Sequence, residues 1–277
     1  MSAADVRIRH RAAVLGSPVE HSLSPVLHNA GYAAAGLADW RYAAYRVEAD
    51  ELAGFVAGLG PEWAGLSLTM PLKQAALSVA DEVTDTARLL GAANTLVLAG
   101  GRRRADNTDA PGLVDALARA GTAAAERVTI LGAGGTARAG LYAAATLGAA
   151  AVTVYARRPA AVADLRPVAD ALGLTLRHAG FADPEPAGRA DVVVSTLPAG
   201  AADAFAPTVR WRRDATVFDV LYSPWPTALA AVATAAGARV VGGLDLLLAQ
   251  AVRQFEQFTG VPAPAEAMRT ALSSAAG

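Results

Sequence analysis

The sequence contains no cysteine in its 277 residues. This excludes disulfide bonds, thiolate metal ligands and a cysteine nucleophile, and it is compatible with a reducing compartment. Histidine is also scarce, since the four histidines at positions 10, 21, 28 and 178 form no i,i+4 pair and have no nearby carboxylate cluster. We therefore predict that the protein has no metal site.

Long apolar runs are missing as well, because nowhere do about eighteen apolar residues follow one another. The basic residues Arg7, Arg9 and Arg11 precede only a short apolar run, and no cleavage-site pattern follows. The 24 basic side chains nearly balance the 25 acidic ones, and the net charge of −1 gives no strong attraction to nucleic acid or an anionic membrane. We expect a cytoplasmic protein whose partner is a small molecule.

Apolar residues make up 53% of the chain and charged residues only 18%. The apolar excess consists largely of alanine and valine, which is typical of folded α/β cores. A chain of 277 residues is long enough for two modest domains that each bury a core. We therefore expect a folded protein of two domains.

A glycine-rich segment follows a short apolar run at residues 127–139. The pattern predicts a strand, a tight turn at Gly132 and then a helix, and Gly134 would let the backbone approach a pyrophosphate. Such turns bind the pyrophosphate of a dinucleotide at the helix N-terminus, and the small side chain of Ala137 would let the helix pack on the strand. A glycine turn can also be a plain loop, so the motif alone does not establish dinucleotide binding.

Two arginines, Arg157 and Arg158, follow the next predicted strand at residues 151–155. An NAD site usually has Asp or Glu near this position to accept a hydrogen bond from the ribose 2′-OH, and neither is present. Guanidinium groups instead suit the 2′-phosphate of NADP. We therefore predict NADP as the cofactor. The alternative is that both arginines are ordinary surface residues.

Further strands are predicted at residues 191–196, 215–220 and 238–241, with helical segments between most of them. This alternation indicates an α/β fold with a doubly wound parallel sheet of the Rossmann type. Ligands of such sheets bind at the carboxyl ends of the strands. The segments at these ends, which would surround the nicotinamide, are 197–200, 222–224 and 242–243.

The N-terminal part also alternates between predicted strands and helices, and two serines precede its first helix. Ser24 is followed by Pro25, so one interpretation is that Ser24 caps the helix and the proline occupies its first position. The functional interpretation is that Ser22 and Ser24 bind a substrate carboxylate at the helix N-terminus. The local pattern leaves both interpretations open.

Thr69 and Lys73 directly follow a predicted strand at residues 65–68, where open α/β sheets bind their ligands. An isolated lysine in a loop is usually a solvated surface charge. The residues that flank Lys73 are almost all apolar, and this favours a functional role.

Asn94 and Asp109 are the next candidate residues. Asn94 precedes a predicted strand and Asp109 opens a predicted helix, so stabilisation of a turn and an N-cap at Thr108 or Asp109 are the structural explanations. Asp109 also lies where the first alternating region gives way to the helix that leads into the glycine-rich turn. A cleft between two domains is expected at this point of the chain.

Together these segments resemble the shikimate dehydrogenase family over almost the whole chain. Several motifs in one order and spacing are far more specific than a glycine turn alone. The matching segments are HSLSP at 21–25 with His28 and Asn29, LTMPLK at 68–73, ANT at 93–95, DNTD at 106–109 with Gly112, GAGG at 132–135 with Arg138 and Ala139, and QA at 250–251 with Phe255.

The resemblance implies an N-terminal α/β substrate domain at residues 1–107, completed by C-terminal helices at 244–277, and a Rossmann NADP-binding domain at 108–243. It also implies reversible, NADP-dependent reduction of 3-dehydroshikimate to shikimate, a step of the chorismate pathway to the aromatic amino acids. We expect a monomer or a homodimer.

Residue roles follow from the resemblance motif by motif. Lys73 and Asp109 form the catalytic pair, while Ser22 and Ser24 bind the substrate carboxylate. The residues assigned to the substrate hydroxyls and carbonyl are Ser67, Thr69, Asn94, Asp109, Tyr222 and Gln250. The residues assigned to the cofactor are Gly132, Ala133, Gly134, Gly135, Thr136, Ala137, Arg157, Arg158, Thr196, Leu197 and Gly243.

Two positions depart from the family pattern. The family usually has asparagine where this chain has Ser67, a shorter hydrogen-bonding group, and this leaves the contacts to the substrate hydroxyls open. The family's usual Asn-Arg-Thr after the second Rossmann strand is here Ala156-Arg157-Arg158, so either arginine is a candidate for the 2′-phosphate.

Other functions are compatible with the same scaffold. A quinate or aminoshikimate dehydrogenase would share most of these motifs, although the paired serines and the missing acid after the second Rossmann strand favour shikimate with NADP. A catalytically silent protein that senses NADP or a shikimate-like ligand is disfavoured, because Lys73 and Asp109 are both present.

Overall fold

The computed structural model describes residues 7–276 and divides the chain into two compact units. The first unit consists of the described residues up to Asp109 together with those from Leu247 onward, and the second is Ala110–Leu246. Each unit contains a six-stranded sheet with helices between its strands, which confirms the predicted two-domain α/β fold. Residues 1–6 and 277, which the predicted domain limits include, lie outside the described part.

The first unit has a mixed sheet in the order β2-β1-β3-β5-β6-β4. Its strands are β1 (His10–Gly16), β2 (Trp40–Arg46), β3 (Trp63–Leu68), β4 (Glu82–Val83), β5 (Thr95–Ala99) and β6 (Arg102–Asp106). Its helices are α1 (Ser24–Ala34), α2 (Leu52–Ala57), α3 (Ala76–Val79), α4 (Asp85–Leu90), α12 (Ala265–Ala276) and, from Leu247, α11 (Gly243–Thr259). Strand β1 is parallel to β2 and β3, whereas β5 is antiparallel to β3 and β6.

The core of the first unit is built from apolar residues of its central strands. Ala13 and Leu15 of β1, Leu66 of β3 and Leu96 of β5 have no exposed surface. A strand that is covered on both faces must be apolar at successive positions, and this explains why the sequence of β1 is a continuous apolar run.

Helix α11 packs on this sheet through aromatic side chains. Phe258 lies so close to β3 that a Cβ added at Gly65 would stand 2.1 Å from its ring. Phe255 is 6.4 Å from the ring of His28, which itself stacks on Tyr42 with 4.1 Å between ring centroids. Helix α11 therefore supplies part of the core of a unit whose sheet is encoded in the first 106 residues.

The second unit has a fully parallel sheet in the order β12-β11-β10-β7-β8-β9. Its strands are β7 (Arg127–Leu131), β8 (Ala151–Tyr155), β9 (Thr175–Ala179), β10 (Val192–Ser195), β11 (Thr216–Asp219) and β12 (Arg239–Val241). The accompanying helices are α5 (Asp109–Arg119), α6 (Gly135–Thr146), α7 (Pro159–Ala163), α8 (Arg166–Ala171), α9 (Glu185–Arg189) and α10 (Ala228–Ala235), with a 3₁₀ turn at Ala206–Thr208. This is the 3-2-1-4-5-6 order of the Rossmann fold, which reverses between β7 and β10.

Strand β9 has no counterpart among the predicted strands. It forms the edge of the second sheet, and three of its five residues, in the sequence TLRHA, are exposed. An edge strand tolerates polar side chains, so it does not show the continuous apolar run that marks a buried strand such as β10.

Within residues 7–276, no helix has the length and apolar character needed to cross a membrane. The same part of the chain contains no group of three or more His, Asp or Glu side chains arranged to hold a metal ion.

Candidate active site

Lys73 and Asp109 form a close pair of opposite charges in the first unit. The Nζ atom of Lys73 donates a hydrogen bond of 2.7 Å to Oδ2 of Asp109. Lys73 lies in the loop after β3, and Asp109 is the first residue of α5, shortly after β6. The side chains are 34% and 18% exposed, so the pair is held by the protein and is still accessible to a ligand.

Lys73 is the only lysine of the protein, because every other basic residue among the 24 is arginine. A guanidinium group stays protonated in proteins, whereas an ammonium group can release and recover a proton. The single ammonium side chain of the protein thus lies next to Asp109. The presence of a single lysine can be seen in the sequence alone, and it is a stronger reason to expect a function for Lys73 than the apolar residues beside it.

Asn94 holds the second oxygen of the Asp109 carboxylate. Its Nδ2 donates to Asp109 Oδ1 at 2.9 Å, and its Oδ1 accepts the backbone N–H of Thr108 at 2.7 Å. A backbone N–H can only donate, so it fixes which end of the Asn94 amide is oxygen and which is nitrogen. Asn94 is only 2% exposed, and the orientation of Asp109 is therefore set from inside the protein.

Gln250 and Thr69 lie in the same unit as this pair. Gln250 Oε1 accepts from Asn94 Nδ2 at 3.4 Å, and its Nε2 donates to the backbone oxygen of Leu247 at 2.9 Å. Thr69 follows β3 and is half-buried. A Cβ at Gly16 would stand 2.3 Å from Cγ2 of Thr69, so the glycine lets the end of β1 approach this threonine. The structure thus brings Asn94 and Gln250 to the charged pair.

The predicted N-cap position of Ser24 is wrong by one residue. Helix α1 begins at Ser24 itself, Leu23 occupies the N-cap position, and no side chain caps from there. The Ser22 hydroxyl instead accepts the backbone N–H of Ser24 at 3.3 Å, because Leu23 already has helical backbone angles and moves the start of the helix forward. Ser24 is buried at the first turn. Carboxylate binding by Ser22 and Ser24 stays a prediction.

Ser67 is a buried residue of β3 whose hydroxyl has two protein partners. It accepts from the Tyr42 hydroxyl at 2.6 Å and donates to Oε1 of Gln254 at 2.7 Å. Gln254 does not appear among the residues predicted from the sequence. The signal for it is its place four residues after Gln250, on the same face of α11, next to Phe255.

His28 and Asn29, which belong to the first matching motif, support the fold around the site. The Asn29 amide bonds both backbone groups of Tyr42, donating to its oxygen at 2.9 Å and accepting from its nitrogen at 3.0 Å. His28 is completely buried, and neither of its ring nitrogens has a hydrogen-bond partner among residues 7–276. Burial lowers the pKa of His28 to about 3, so the ring is neutral near pH 7.

The glycine-rich turn of the second unit has the geometry expected of a pyrophosphate site. Gly132 has a φ of +103°, and a Cβ there would stand 2.6 Å from Oγ1 of Thr196. Gly134 is the N-cap of α6 and Gly135 its first residue, and a Cβ at either position would meet nothing within 4 Å. The start of α6 is therefore uncrowded around these two glycines, as a helix N-terminus that binds a phosphate requires.

The other residues assigned to the cofactor lie at the carboxyl ends of the parallel strands. Arg157 and Arg158 follow β8, are both exposed, and have no carboxylate between them and the strand. A Cβ at Gly243 would stand 2.1 Å from the backbone oxygen of Val220, so this position requires glycine. The residues present fit NADP. Ala137 is buried and Ala133, Thr136, Thr196 and Leu197 are half-buried, while Tyr222, assigned to the substrate, is 37% exposed after β11.

Two protein-family models match the chain. The model described as "Shikimate dehydrogenase substrate binding domain" matches residues 14–96. The model described as "Shikimate 5'-dehydrogenase C-terminal domain" matches residues 243–272.

Individual proteins match over nearly the full length. A relative from Caulobacter vibrioides named shikimate dehydrogenase (NADP(+)) is 40% identical over 261 residues, which are 91% of this chain and 90% of that protein. The crystal structure of Mycobacterium tuberculosis shikimate dehydrogenase is 46% identical, with a TM-score of 0.89 over 96% of this chain and 99% of its own. The Thermus thermophilus shikimate 5-dehydrogenase in complex with NADP(H) and shikimate is 32% identical, with a TM-score of 0.84 over the same shares.

Proposed function

Because the chain belongs to the shikimate dehydrogenase family, we propose that it catalyses the reversible, NADP-dependent reduction of 3-dehydroshikimate to shikimate. The observation that carries this function is the contact between the protein's only lysine and Asp109 at 2.7 Å. Reduction of a ketone needs a proton for the carbonyl oxygen, and a partly exposed ammonium group oriented by a carboxylate can supply it.

Each residue of the charged pair has a distinct role in this proposal. Lys73 gives a proton to the carbonyl oxygen when the ketone is reduced and takes it back when the alcohol is oxidised. Asp109 holds the ammonium group in place and is itself held by Asn94. When bound, NADP supplies or accepts the hydride. The protein's contribution is to align the reacting groups and to handle the proton.

The substrate is bound by polar groups around this pair. Ser22 and Ser24 bind its carboxylate at the start of α1, while Thr69, Asn94, Gln250 and Tyr222 bind its hydroxyls and carbonyl. Ser67 donates its only proton to Gln254, so toward a substrate hydroxyl it has only a lone pair left.

NADP is bound by the second unit. The segment 132–137 binds the pyrophosphate at the N-terminus of α6, which is supported by the positive φ of Gly132 and the open space at Gly134. Arg157 or Arg158 binds the 2′-phosphate, and the exposure of both after β8 supports this role. The nicotinamide is placed by the strand-end residues Thr196, Leu197 and Gly243.

We also propose that the protein works in the cytoplasm as a monomer or homodimer and that its partners are these small molecules alone. The net charge of −1 supports this, because it provides no strong attraction to nucleic acid or an anionic membrane.

A single set of assays tests the proposed reaction. The purified protein is incubated with shikimate, quinate or aminoshikimate, each with NADP⁺ or NAD⁺, and formation of the reduced nicotinamide is followed by its absorbance. We expect the highest kcat/KM with shikimate and NADP⁺.

Two results would contradict this assignment. A higher kcat/KM with quinate or aminoshikimate would identify one of these as the substrate. No turnover with any pair, together with tight binding of NADP⁺ in calorimetry, would point to the sensor described above.

A further inference from the structure

Gln254 connects the strand that carries Ser67 with the segment that carries Asn94. Its Oε1 accepts from the Ser67 hydroxyl at 2.7 Å. Its Nε2 donates to the backbone oxygen of Asn94 at 3.1 Å and to Oγ1 of Thr95 at 2.9 Å. The side chain has no exposed surface, so these protein groups are its partners in place of water.

The backbone determines the direction of these hydrogen bonds. The carbonyl oxygen of Asn94 can only accept, so the nitrogen of the Gln254 amide must point to it and the oxygen must point to Ser67. Ser67 therefore donates to Gln254, and the Tyr42 hydroxyl must donate to Ser67. Burial raises the pKa of Tyr42 above its usual range, so this hydroxyl keeps its proton.

The same direction continues toward the charged pair. Thr95 receives an N–H of Gln254 and donates its own proton to Oδ1 of Asn94 at 2.9 Å. The Asn94 amide then donates to Asp109 at 2.9 Å, and Asp109 holds Lys73. From Tyr42 to Asn94, each side chain in this series donates a hydrogen bond to the next, and the series ends at the Asp109 carboxylate.

We propose that Gln254 is a positioning residue for the Lys73–Asp109 pair. Its amide, fixed by Ser67 on one side, directs the Thr95 hydroxyl onto Asn94 and thereby holds Asp109 in the orientation that places Lys73. The hydroxyl of Ser67 bonds to Tyr42 and Gln254, and Gln254 of α11 supplies the carboxamide that bonds to Asn94 and Thr95. The expected effect on activity rests on the proposed function, whereas the hydrogen bonds of Gln254 do not depend on it.

The first experiment changes the polarity of Gln254 while it keeps the size. Gln254→Met removes every hydrogen bond of the side chain, and Gln254→Glu keeps an acceptor for Ser67 but has no proton for Asn94 or Thr95. We expect kcat for shikimate oxidation to fall about 10- to 100-fold in both, because small displacements of reacting groups have effects of this size. KM for NADP⁺ should stay unchanged.

A matched control separates positioning from a general loss of stability. Leu272→Ala removes a buried side chain of α12 in the same unit and should lower the melting temperature without lowering kcat at a temperature where the protein is folded. Wild-type kcat in Gln254→Met, or an equal loss in Leu272→Ala, would overturn the proposal.

A rescue experiment tests the role of the carboxamide itself. Gln254→Ala leaves a gap beside Ser67, and Ser67→Asn places a carboxamide into that gap from β3. We expect the double variant to recover at least about 10-fold in kcat over Gln254→Ala, since an amide again lies between the strand and Asn94. A double variant no more active than Gln254→Ala would overturn the proposal.

A spectroscopic readout keeps this inference separate from the proposed reaction. Because Lys73 is the only lysine, protein labelled with ¹³C-lysine gives one ε-methylene resonance, which reports the surroundings of the ammonium group. We expect this resonance to shift in Gln254→Met and to stay in place in Leu272→Ala. If wild-type protein does not oxidise shikimate but the resonance shifts, the proposed reaction fails and the positioning role stands. An unshifted resonance overturns the positioning role.

Discussion

The ion pair of Lys73 and Asp109 is partly exposed to solvent, so a contribution to the stability of the fold does not explain why the pair is present. Pairs of this kind typically contribute between about 0 and 1 kcal/mol, because solvent screens the charges and the side chains lose freedom. Elsewhere on the surface the protein uses arginine for its ion pairs, as in the pair of Arg103 with Asp81. Lysine at this one position is therefore better explained by its ability to exchange a proton.

Replacement of Lys73 separates charge from proton transfer. Lys73→Arg keeps the positive charge and the hydrogen bond to Asp109, but its guanidinium group does not release a proton. We expect kcat to fall by about 10²- to 10⁴-fold in Lys73→Arg and in Lys73→Met, the range typical of a positioned acid or base. The measurement is steady-state kinetics with shikimate and NADP⁺, together with calorimetry for shikimate binding.

The matched control for this series is Arg103→Met, which removes the partly exposed ion pair of this arginine with Asp81 in the same unit. It should keep the wild-type kcat. An arginine variant of Lys73 within a few-fold of wild type would show that the positive charge alone is required and that another group transfers the proton.

At the level of elements, helix α11 shows what the sequence predicts and what it does not. The helix, its start near Gly243, its end before Pro262 and the burial of Phe255 and Phe258 follow from periodicity and the proline positions. The role of Gln254 does not follow, because its partner Ser67 lies 187 positions earlier in the chain. Periodicity predicts which face of a helix is buried, but it does not predict which side chains of another element contact that face.

The same distinction applies to the strands and to the first helix. Strand β10, buried at all four positions, is predicted by its apolar run, whereas the exposed edge strand β9 is not. The predicted start of α1 is wrong by one residue, because Leu23 already has helical backbone angles and Ser24 is the first residue of the helix. Local apolar patterns thus predict the buried elements, whereas an exposed edge strand and the exact first residue of a helix do not follow from them.

The contact of α11 with β3 can be tested at Gly65. A methyl group there would stand 2.1 Å from the Phe258 ring, so Gly65→Ala must displace this side chain from the core. We expect the free energy of unfolding to fall by about 1–3 kcal/mol, the usual cost of overpacking. Urea denaturation of wild type and variant gives the difference.

Gly54→Ala is the same chemical change, but we expect it to change the free energy of unfolding in the opposite direction. Gly54 lies in α2, is exposed, and has nothing within 4 Å of an added Cβ. Alanine should raise the free energy of unfolding by about 0.5–1 kcal/mol, because it restricts the unfolded chain and favours the helix. Equal effects at Gly65 and Gly54 would show that the packing of α11 on β3 is not tight.

At the level of the whole molecule, the buried neutral His28 links stability to pH. Its pKa is about 3 in the folded protein, while the ordinary value near 6.5 applies when the chain is unfolded. Between these values the unfolded chain binds a proton that the folded one does not. The stabilisation is therefore complete above about pH 6.5 and is lost as the pH falls toward 3.

We expect His28 to contribute about 1.4 kcal/mol per pH unit to the slope of the unfolding free energy between pH 6 and 4. His28→Phe, which keeps an aromatic ring against Tyr42, should remove this part of the slope. Urea titrations at several pH values measure it. Tyr32→Phe is the control, since it changes the same aromatic cluster without removing a group that titrates in this range. Equal slopes in wild type and His28→Phe would contradict the assignment.

The discontinuous first unit also constrains how the protein is made. The segment Ala110–Leu246 is contiguous and can fold as soon as it has left the ribosome, because domains generally fold as units during synthesis. The earlier sheet must wait for the segment from Leu247, with its apolar face at Gly65 uncovered until Phe258 arrives. Since Gln254 lies in that late segment, a nascent chain can complete its second unit well before the side chain that we propose to position Asp109 has been synthesised.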